Sequence, residues 1–149
     1  MVMEDTNEMK MEFDSYSSNE SFARVAVAAF CTRLNPTLEE LSDLKTAISE
    51  AITNCIIHAY DNQIRKIQII CRIKGQEVEV NIIDHGKGME DVAKAMEPLY
   101  TTRPDLDRSG MGFAFMEAFM DEVQVESTPG EGTCVCMRKK LGCFTHPYA

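Results

Sequence analysis

Apolar side chains recur at helical spacing in two long stretches of the chain. The longer stretch runs from Leu38 to about Ala59, with its apolar positions at Leu38, Leu41, Leu44, Ile48, Ala51, Ile52, Cys55 and Ile56. The shorter stretch runs from Glu20 to Leu34, with an apolar stripe at Phe22, Val25, Ala26, Ala29 and Phe30. These patterns predict two amphipathic helices, and Thr37 with Glu40 predicts a capping box at the start of the second.

Alternation of apolar and polar residues predicts strands in the rest of the chain. Residues 66–74 and 77–84 alternate on either side of Gly75-Gln76, which is typical of a hairpin. A second hairpin is expected from Val123 to Lys139 across a Pro-Gly-Glu-Gly turn, and an edge strand from Met9 to Phe13. Short helices are predicted over Glu90–Met96 and Phe113–Met120.

The order of these elements predicts the fold class. One strand and two helices precede the first hairpin, and two short helices precede the second. This order favours an α+β two-layer sandwich, with a mixed, mostly antiparallel sheet covered by helices on one face. The length of 149 residues suits a single domain over 1–149, with a loose C-terminal tail from about residue 141.

Composition narrows the possible partners and the compartment. The net charge of −9 disfavours direct binding to nucleic acid. No apolar run is long enough to cross a membrane, and the polar N-terminus does not suit a signal peptide, so a cytoplasmic protein is expected. The six cysteines contain no Cys-x-x-Cys pair, and most are interpreted as small core residues in a reducing compartment.

The end of the strand over residues 77–84 carries the most informative motif, Asp84-His85-Gly86-Lys87-Gly88. A carboxylate followed by Gly-x-Gly lets the backbone approach a planar ligand while the acid accepts a hydrogen bond from its edge. Asp84 would accept from the amine of adenine and repel the oxygen of guanine, which favours ATP over GTP. Thr133, after the second glycine turn, could support the same edge. The alternative for the motif alone is an ordinary Asp-initiated turn.

Glu50 and Asn54 lie one helical turn apart on the long helix. An Asn amide oxygen suits a magnesium ion that already holds phosphate oxygens and waters. A Glu one turn away can hold a water or accept a hydroxyl proton. His58 continues this row and is interpreted as a neighbour that orients polar groups. The alternative is a solvated helix face.

A third glycine pair, Gly110 and Gly112, precedes the helix predicted from Phe113. Free N–H groups at a helix start favour phosphate, although the sequence has neither a Walker nor a Rossmann pattern here. Arg108 is placed to reach a terminal phosphate, with a loop charge as the alternative. The polar segment from Glu97 to Ser109 is expected to be mobile and to act as a lid.

These stretches together resemble the ATP-binding fold shared by gyrase, heat-shock chaperone ATPases, histidine kinases and mismatch-repair ATPases. The spacing of Glu50/Asn54, Asp84/Gly86/Gly88, Gly110/Gly112 and Gly130/Gly132/Thr133 matches the boxes of that superfamily. The resemblance covers about Met9 to Lys140 and implies bound ATP and Mg²⁺.

Longer segments resemble the bacterial anti-sigma factor serine kinases, and the sporulation branch of that family matches better than the general stress response branch. They are Glu20–Val25, Pro98–Thr102, Arg108–Phe113 and Phe119–Val123. This resemblance implies a homodimer that binds and inhibits a sigma factor and phosphorylates a serine of a small anti-anti-sigma protein. It also implies that nucleotide binding involves Thr101, Thr102, Ser109 and Met111, and that Arg24, off the apolar stripe and exposed, meets the partners.

Two residues depart from the family pattern, and two other functions stay open. Cys55 stands where Ala is usual, and Ala59 stands where Gly is common. The first alternative function is a binding module in which ATP sets the affinity for a sigma factor without catalysis. The second is a mechanical ATPase whose lid gates dimer closure, as in the chaperones.

Overall fold

The computed structural model describes residues 6–97 and 112–143. The strands in this part are β1 (Thr6–Asp14), β2 (Lys66–Lys74), β3 (Glu77–Asp84), β4 (Glu122–Thr128) and β5 (Gly132–Lys140). The helices are α1 (Asn19–Cys31), α2 (Leu38–Asn54), α3 (Val92–Ala95) and α4 (Gly112–Phe119). A 3₁₀ turn, Thr32–Leu34, follows α1, and a π-helical turn, Cys55–Ala59, follows α2.

The five strands form one open sheet in the order β1-β2-β3-β5-β4. Both predicted hairpins, β2–β3 and β4–β5, are present, and β1 lies at an edge as expected. The α+β class is confirmed. All four pairings between the described strands are antiparallel, whereas a mixed sheet was predicted.

The core lies between one face of the sheet and the helices. Alternate residues of β2 and β3 are buried, as the period of two requires. Side chains from α2 complete the layer, and the largest fully buried ones include Leu44, Ile48 and Ile52. The opposite face carries half-buried polar and charged residues, among them the ion pair of Arg72 with Glu79. The helices of the described ranges therefore cover one face of the sheet.

Helix α1 forms where predicted, and Phe30 of its apolar stripe packs against the core, but two other members of the stripe face outward. Phe22 and Val25 are 61% and 58% exposed. The residues that α1 buries against the core are small: Ala23, Val27, Ala28 and Cys31. The prediction that Phe22 and Val25 line the core is wrong. Small side chains allow α1 to lie close to α2, and the larger apolar residues are left on the far side.

Helix α2 begins at the predicted capping box, where Thr37 accepts from the Glu40 N–H at 3.0 Å and Glu40 accepts from the Thr37 N–H at 2.8 Å. Leu38, predicted on the buried side, is 86% exposed in the first turn. At its other end the helix changes to a π-helical turn, a rare element that is frequent at functional sites. His58, which follows Glu50 and Asn54 at a spacing of four residues, lies in this π-helical turn.

The packed region extends past the predicted start of the tail. Leu141 is fully buried and donates its N–H to the Gln76 carbonyl at 2.8 Å. The Gly142 N–H bonds Glu40 at 3.1 Å. Within the described ranges, no helix is long and apolar enough to span a bilayer.

Candidate functional site

A cavity of about 600 Å³ opens where α2 ends, beside the glycine turn after β3 and the start of α4. Its walls include five of the predicted site residues: Asn54, Asp84, Gly88, Gly112 and Thr133. These residues come from four different elements. Cavities of this size, with a few polar groups converging on apolar walls, are typical of small-ligand sites.

The side chains of Glu50 and Asn54 converge on the first residue of α4. A Cβ atom built on Gly112 would lie 3.3 Å from Glu50 Oε2 and 3.5 Å from both amide atoms of Asn54. A larger side chain at position 112 would therefore fill the space in front of this pair. In the described part of the chain, the buried Asn54 Nδ2 has no hydrogen-bond partner.

An orphaned buried amide at a cavity wall is expected to bind something that enters the cavity. The nitrogen and oxygen of an Asn amide are assigned from their surroundings, so the atom facing the orphaned position could equally be the oxygen. With a carboxylate one helical turn away, this donor set fits a hard, oxygen-seeking cation such as Mg²⁺.

Asp84 ends β3 as a buried carboxylate, only 5% exposed. Its Oδ1 accepts from the Gly86 N–H at 2.9 Å, and the Thr133 N–H and the Cys55 thiol also bond the carboxyl group. Burial raises the pKa of Asp84 above its usual value, and these donors offset part of that rise. An acceptor held in this way at the cavity wall can recognise a donor such as an exocyclic amine.

The two glycines after Asp84 bring backbone segments together. A Cβ on Gly86 would lie 2.4 Å from the Ala59 carbonyl oxygen in the π-helical turn. Gly88 has φ of +71°, and a Cβ there would lie 2.2 Å from the Thr128 carbonyl oxygen. Both contacts are with protein backbone, so the Gly-x-Gly motif joins α2, β3 and the β4–β5 turn around the cavity.

Thr133 lies opposite Asp84 in the β3–β5 ladder. Its hydroxyl is 2.8 Å from the Ser127 hydroxyl, which also accepts from the Met89 N–H at 2.8 Å. Ser127 thus ties the glycine turn to β5. Sequence reasoning missed both Ser127 and the contact of Cys55 with Asp84, because each depends on strand register or on the π-helical turn.

Arg24, predicted to be exposed, is half-buried between α1 and α2. Its guanidinium lies 2.9 Å from Ser49 Oγ and 3.4 Å from Glu20 Oε1. The other oxygen of Glu20 accepts from Thr53 Oγ1 at 3.2 Å. Arg24 is therefore bonded directly to Ser49, the residue before Glu50. It is also linked through Glu20 to Thr53, the residue before Asn54.

The remaining predicted site residues fall outside the described residues. They are Thr101, Thr102, Arg108, Ser109, Gly110 and Met111, together with the predicted lid over 97–109, of which only residue 97 is described. The described part brings together Glu50, Asn54, Asp84, Gly112 and Thr133.

Comparison with known proteins identifies the class to which this fold and cavity belong. The model of the histidine kinase-like ATPase domain family matches residues 17–139, and the chain belongs to this family. A solved structure of the RsbU and RsbW domains of Rv1364c from Mycobacterium tuberculosis superposes with a TM-score of 0.61 at 17% identity, covering 91% of this chain and 32% of that one. The histidine kinase domain from Erythrobacter litoralis EL346 gives 0.51 at 16% identity, over 82% and 61%. These structures confirm the fold.

More similar relatives are anti-sigma F factors. The one from Thermoanaerobacter sp. (strain X514) is 57% identical over 140 residues, covering 94% of this chain and 98% of the relative. That of Clostridium novyi (strain NT) is 59% identical over 136 residues, covering 91% and 95%. The resemblance to anti-sigma factors noted from the motifs is confirmed over nearly the whole chain.

Proposed function

We propose that this protein is an anti-sigma factor with serine-protein kinase activity. It binds and inhibits a sporulation sigma factor, and it transfers the γ-phosphate of ATP to a serine of a small anti-anti-sigma protein. The observation that carries the proposal is the convergence of Glu50 and Asn54 on Gly112 at the cavity wall, where Asn54 Nδ2 has no hydrogen-bond partner among the described residues. The high identity to anti-sigma F factors supports the choice of partners.

In this proposal each predicted site residue named below has one role in binding ATP or transferring its phosphate. Asp84 accepts from the adenine amine, with Thr133 beside it. Backbone N–H groups of residues 110–112 hold phosphate oxygens. Glu50 accepts the proton of the substrate serine as its oxygen attacks the γ-phosphorus. Arg108 neutralises charge on the transferred group.

Asn54 would hold the magnesium ion through its amide oxygen. When bound, the ion neutralises phosphate charge and orients the phosphate chain. The orphaned amide and the neighbouring Glu50 carboxylate fit this assignment.

We extend the proposal to the assembly and the partner surface. The resemblance to anti-sigma kinases supports a cytoplasmic homodimer in which Arg24 contacts the protein partners. Glu20 and Ser49 hold the Arg24 guanidinium in one orientation, so its fork is positioned for a partner carboxylate before binding. The net charge of −9 supports action on proteins and no direct contact with nucleic acid.

The test is transfer of labelled γ-phosphate from ATP to a purified anti-anti-sigma protein. Glu50→Gln should retain ATP binding and lose transfer by about 100-fold or more, the usual effect of removing a general base. Glu39→Gln is the matched control, because Glu39 lies exposed in the first turn of the same helix. Transfer that survives in Glu50→Gln would remove Glu50 as the base.

Two other results would redirect the assignment. Tight ATP binding without any label on the partner would favour a nucleotide-gated sigma-binding module. ATP hydrolysis without a protein substrate, rising steeply with protein concentration, would favour a mechanical ATPase.

A further inference from the structure

The hydroxyl of Ser127 has three polar neighbours. It lies 2.8 Å from the Met89 N–H nitrogen, 3.2 Å from the Gly132 carbonyl oxygen and 2.8 Å from Thr133 Oγ1. The Met89 N–H can only donate a hydrogen bond and the Gly132 carbonyl can only accept one, whereas the Thr133 hydroxyl can do either. The position of one proton therefore decides which way the Thr133 hydroxyl points.

A serine hydroxyl has one proton and two acceptor positions. If Ser127 donates to Gly132, it accepts from both Met89 and Thr133, and all three bonds form. If Ser127 donates to Thr133, the bond to Gly132 is lost and only two bonds form. The first arrangement satisfies more groups, so the Thr133 proton points to Ser127 and the lone pairs of Thr133 are left for the cavity.

We propose that Ser127 is a positioning residue that sets nucleotide specificity by keeping Thr133 a hydrogen-bond acceptor beside Asp84. The inference rests on the proposed ATP site. Asp84 and Thr133 are register partners at the cavity wall, so both present acceptors to the same ligand edge. At position 6, a 6-amino purine carries N–H donors, whereas a 6-oxo purine carries an acceptor oxygen.

Removal of the Ser127 hydroxyl should relax this selection. In Ser127→Ala, Thr133 loses the oxygen to which it donates, and its proton is free to turn into the cavity. It can then donate to the oxygen of a 6-oxo purine. We therefore expect the affinity for inosine triphosphate to rise relative to that for ATP. Asp84 should maintain part of the preference for ATP.

The experiment measures the dissociation constants of ATP and inosine triphosphate for the full chain by calorimetry with Mg²⁺. We expect the Kd of inosine triphosphate divided by that of ATP to fall by about fivefold or more in Ser127→Ala, the effect of about one hydrogen bond. Ser42→Ala is the matched control, since Ser42 is exposed on α2 away from the cavity. In a Thr133→Val background, Ser127→Ala should leave the ratio unchanged, because the hydroxyl on which it acts is gone.

The outcomes separate this inference from the proposed function. If the wild-type protein binds neither nucleotide, the ATP site itself is refuted. If the wild type prefers ATP and Ser127→Ala folds but keeps the same ratio, Ser127 has no role in specificity. A change of ratio that persists in the Thr133→Val background would also overturn the inference, because it would not pass through Thr133.

Discussion

Replacement of Asn54 by Ala tests whether the amide is held in place for a ligand. In the described part of the protein, Asn54 Nδ2 is buried and has no hydrogen-bond partner. An unpaired buried polar group lowers the stability of the folded protein, so a protein that keeps one is expected to use it for binding. Asn54→Ala should therefore stabilise the nucleotide-free protein while abolishing its response to Mg²⁺ and ATP.

The size of the effect follows from the environment of the amide. Leaving a buried donor unsatisfied costs about 1–3 kcal/mol, and Ala is favoured over Asn inside a helix by up to about 0.7 kcal/mol. Because the side chain lines an open cavity, its removal leaves no new sealed void. We expect the free energy of unfolding to rise by about 1–2 kcal/mol and the Tm by about 2–8 °C.

The assay is urea and thermal unfolding with and without Mg²⁺ and ATP. Saturating nucleotide should stabilise the wild type by about 2.7 kcal/mol at a hundredfold excess over Kd, and Asn54→Ala much less. Asn81→Ala is the control, because the Asn81 amide donates to Glu79 at 2.8 Å. This variant should lose about 1 kcal/mol of stability and keep the response to nucleotide.

A loss of stability in Asn54→Ala as large as that in Asn81→Ala would refute the reasoning. It would mean that the Asn54 amide makes a structural bond in the folded protein. An undiminished stabilisation of Asn54→Ala by Mg²⁺ and ATP would likewise remove Asn54 from the metal site.

Three further predictions concern the glycine turn, pH and the partner surface. Gly86→Ala should lower ATP affinity, because the added Cβ collides with the Ala59 backbone. Gly75→Ala is the control: its Cβ meets no atom within 4 Å, and its φ of +60° should cost only about 1–2 kcal/mol of stability. Equal ATP affinities of the two variants would contradict this prediction. ATP affinity should fall with decreasing pH, and the fall should begin at a higher pH than the usual Asp pKa implies. Burial raises the pKa of Asp84, and protonation removes the charge that strengthens its hydrogen bond from the amine. Kd measured from about pH 7 to 4 checks this, and a flat profile would count against Asp84. Arg24→Glu should weaken sigma-factor binding and leave ATP affinity unchanged. Arg33→Glu, at an exposed residue in the turn after α1, should leave sigma-factor binding unchanged. Pull-down measures sigma-factor binding and calorimetry measures ATP affinity, and unchanged sigma-factor binding in Arg24→Glu would place the interface elsewhere.

Much of the fold could be predicted because hydrophobic period is a local property. The alternation over residues 66–84 and the turn at Gly75 gave the β2–β3 hairpin with bounds close to those observed. The capping box at Thr37 gave the start of α2. The outward orientation of α1 could not be predicted in this way, because Phe22 and Val25 have the same spacing as a core stripe. Close packing of α1 through small residues decided which side faced inward.

The sequence by itself was enough to single out the candidate site residues: the Glu50–Asn54 pair, Asp84 before its glycines, and the glycine at the start of α4. Residue type and short spacing suffice for these. Only the tertiary structure decided that Gly86 and Gly88 pack against backbone, that Asn54 Nδ2 has no hydrogen-bond partner among the described residues, and that the hydroxyls of Ser127 and Thr133 lie within hydrogen-bond distance. Each of these depends on contacts between segments far apart in the chain, and such contacts are fixed by strand register and helix packing, which local patterns do not encode.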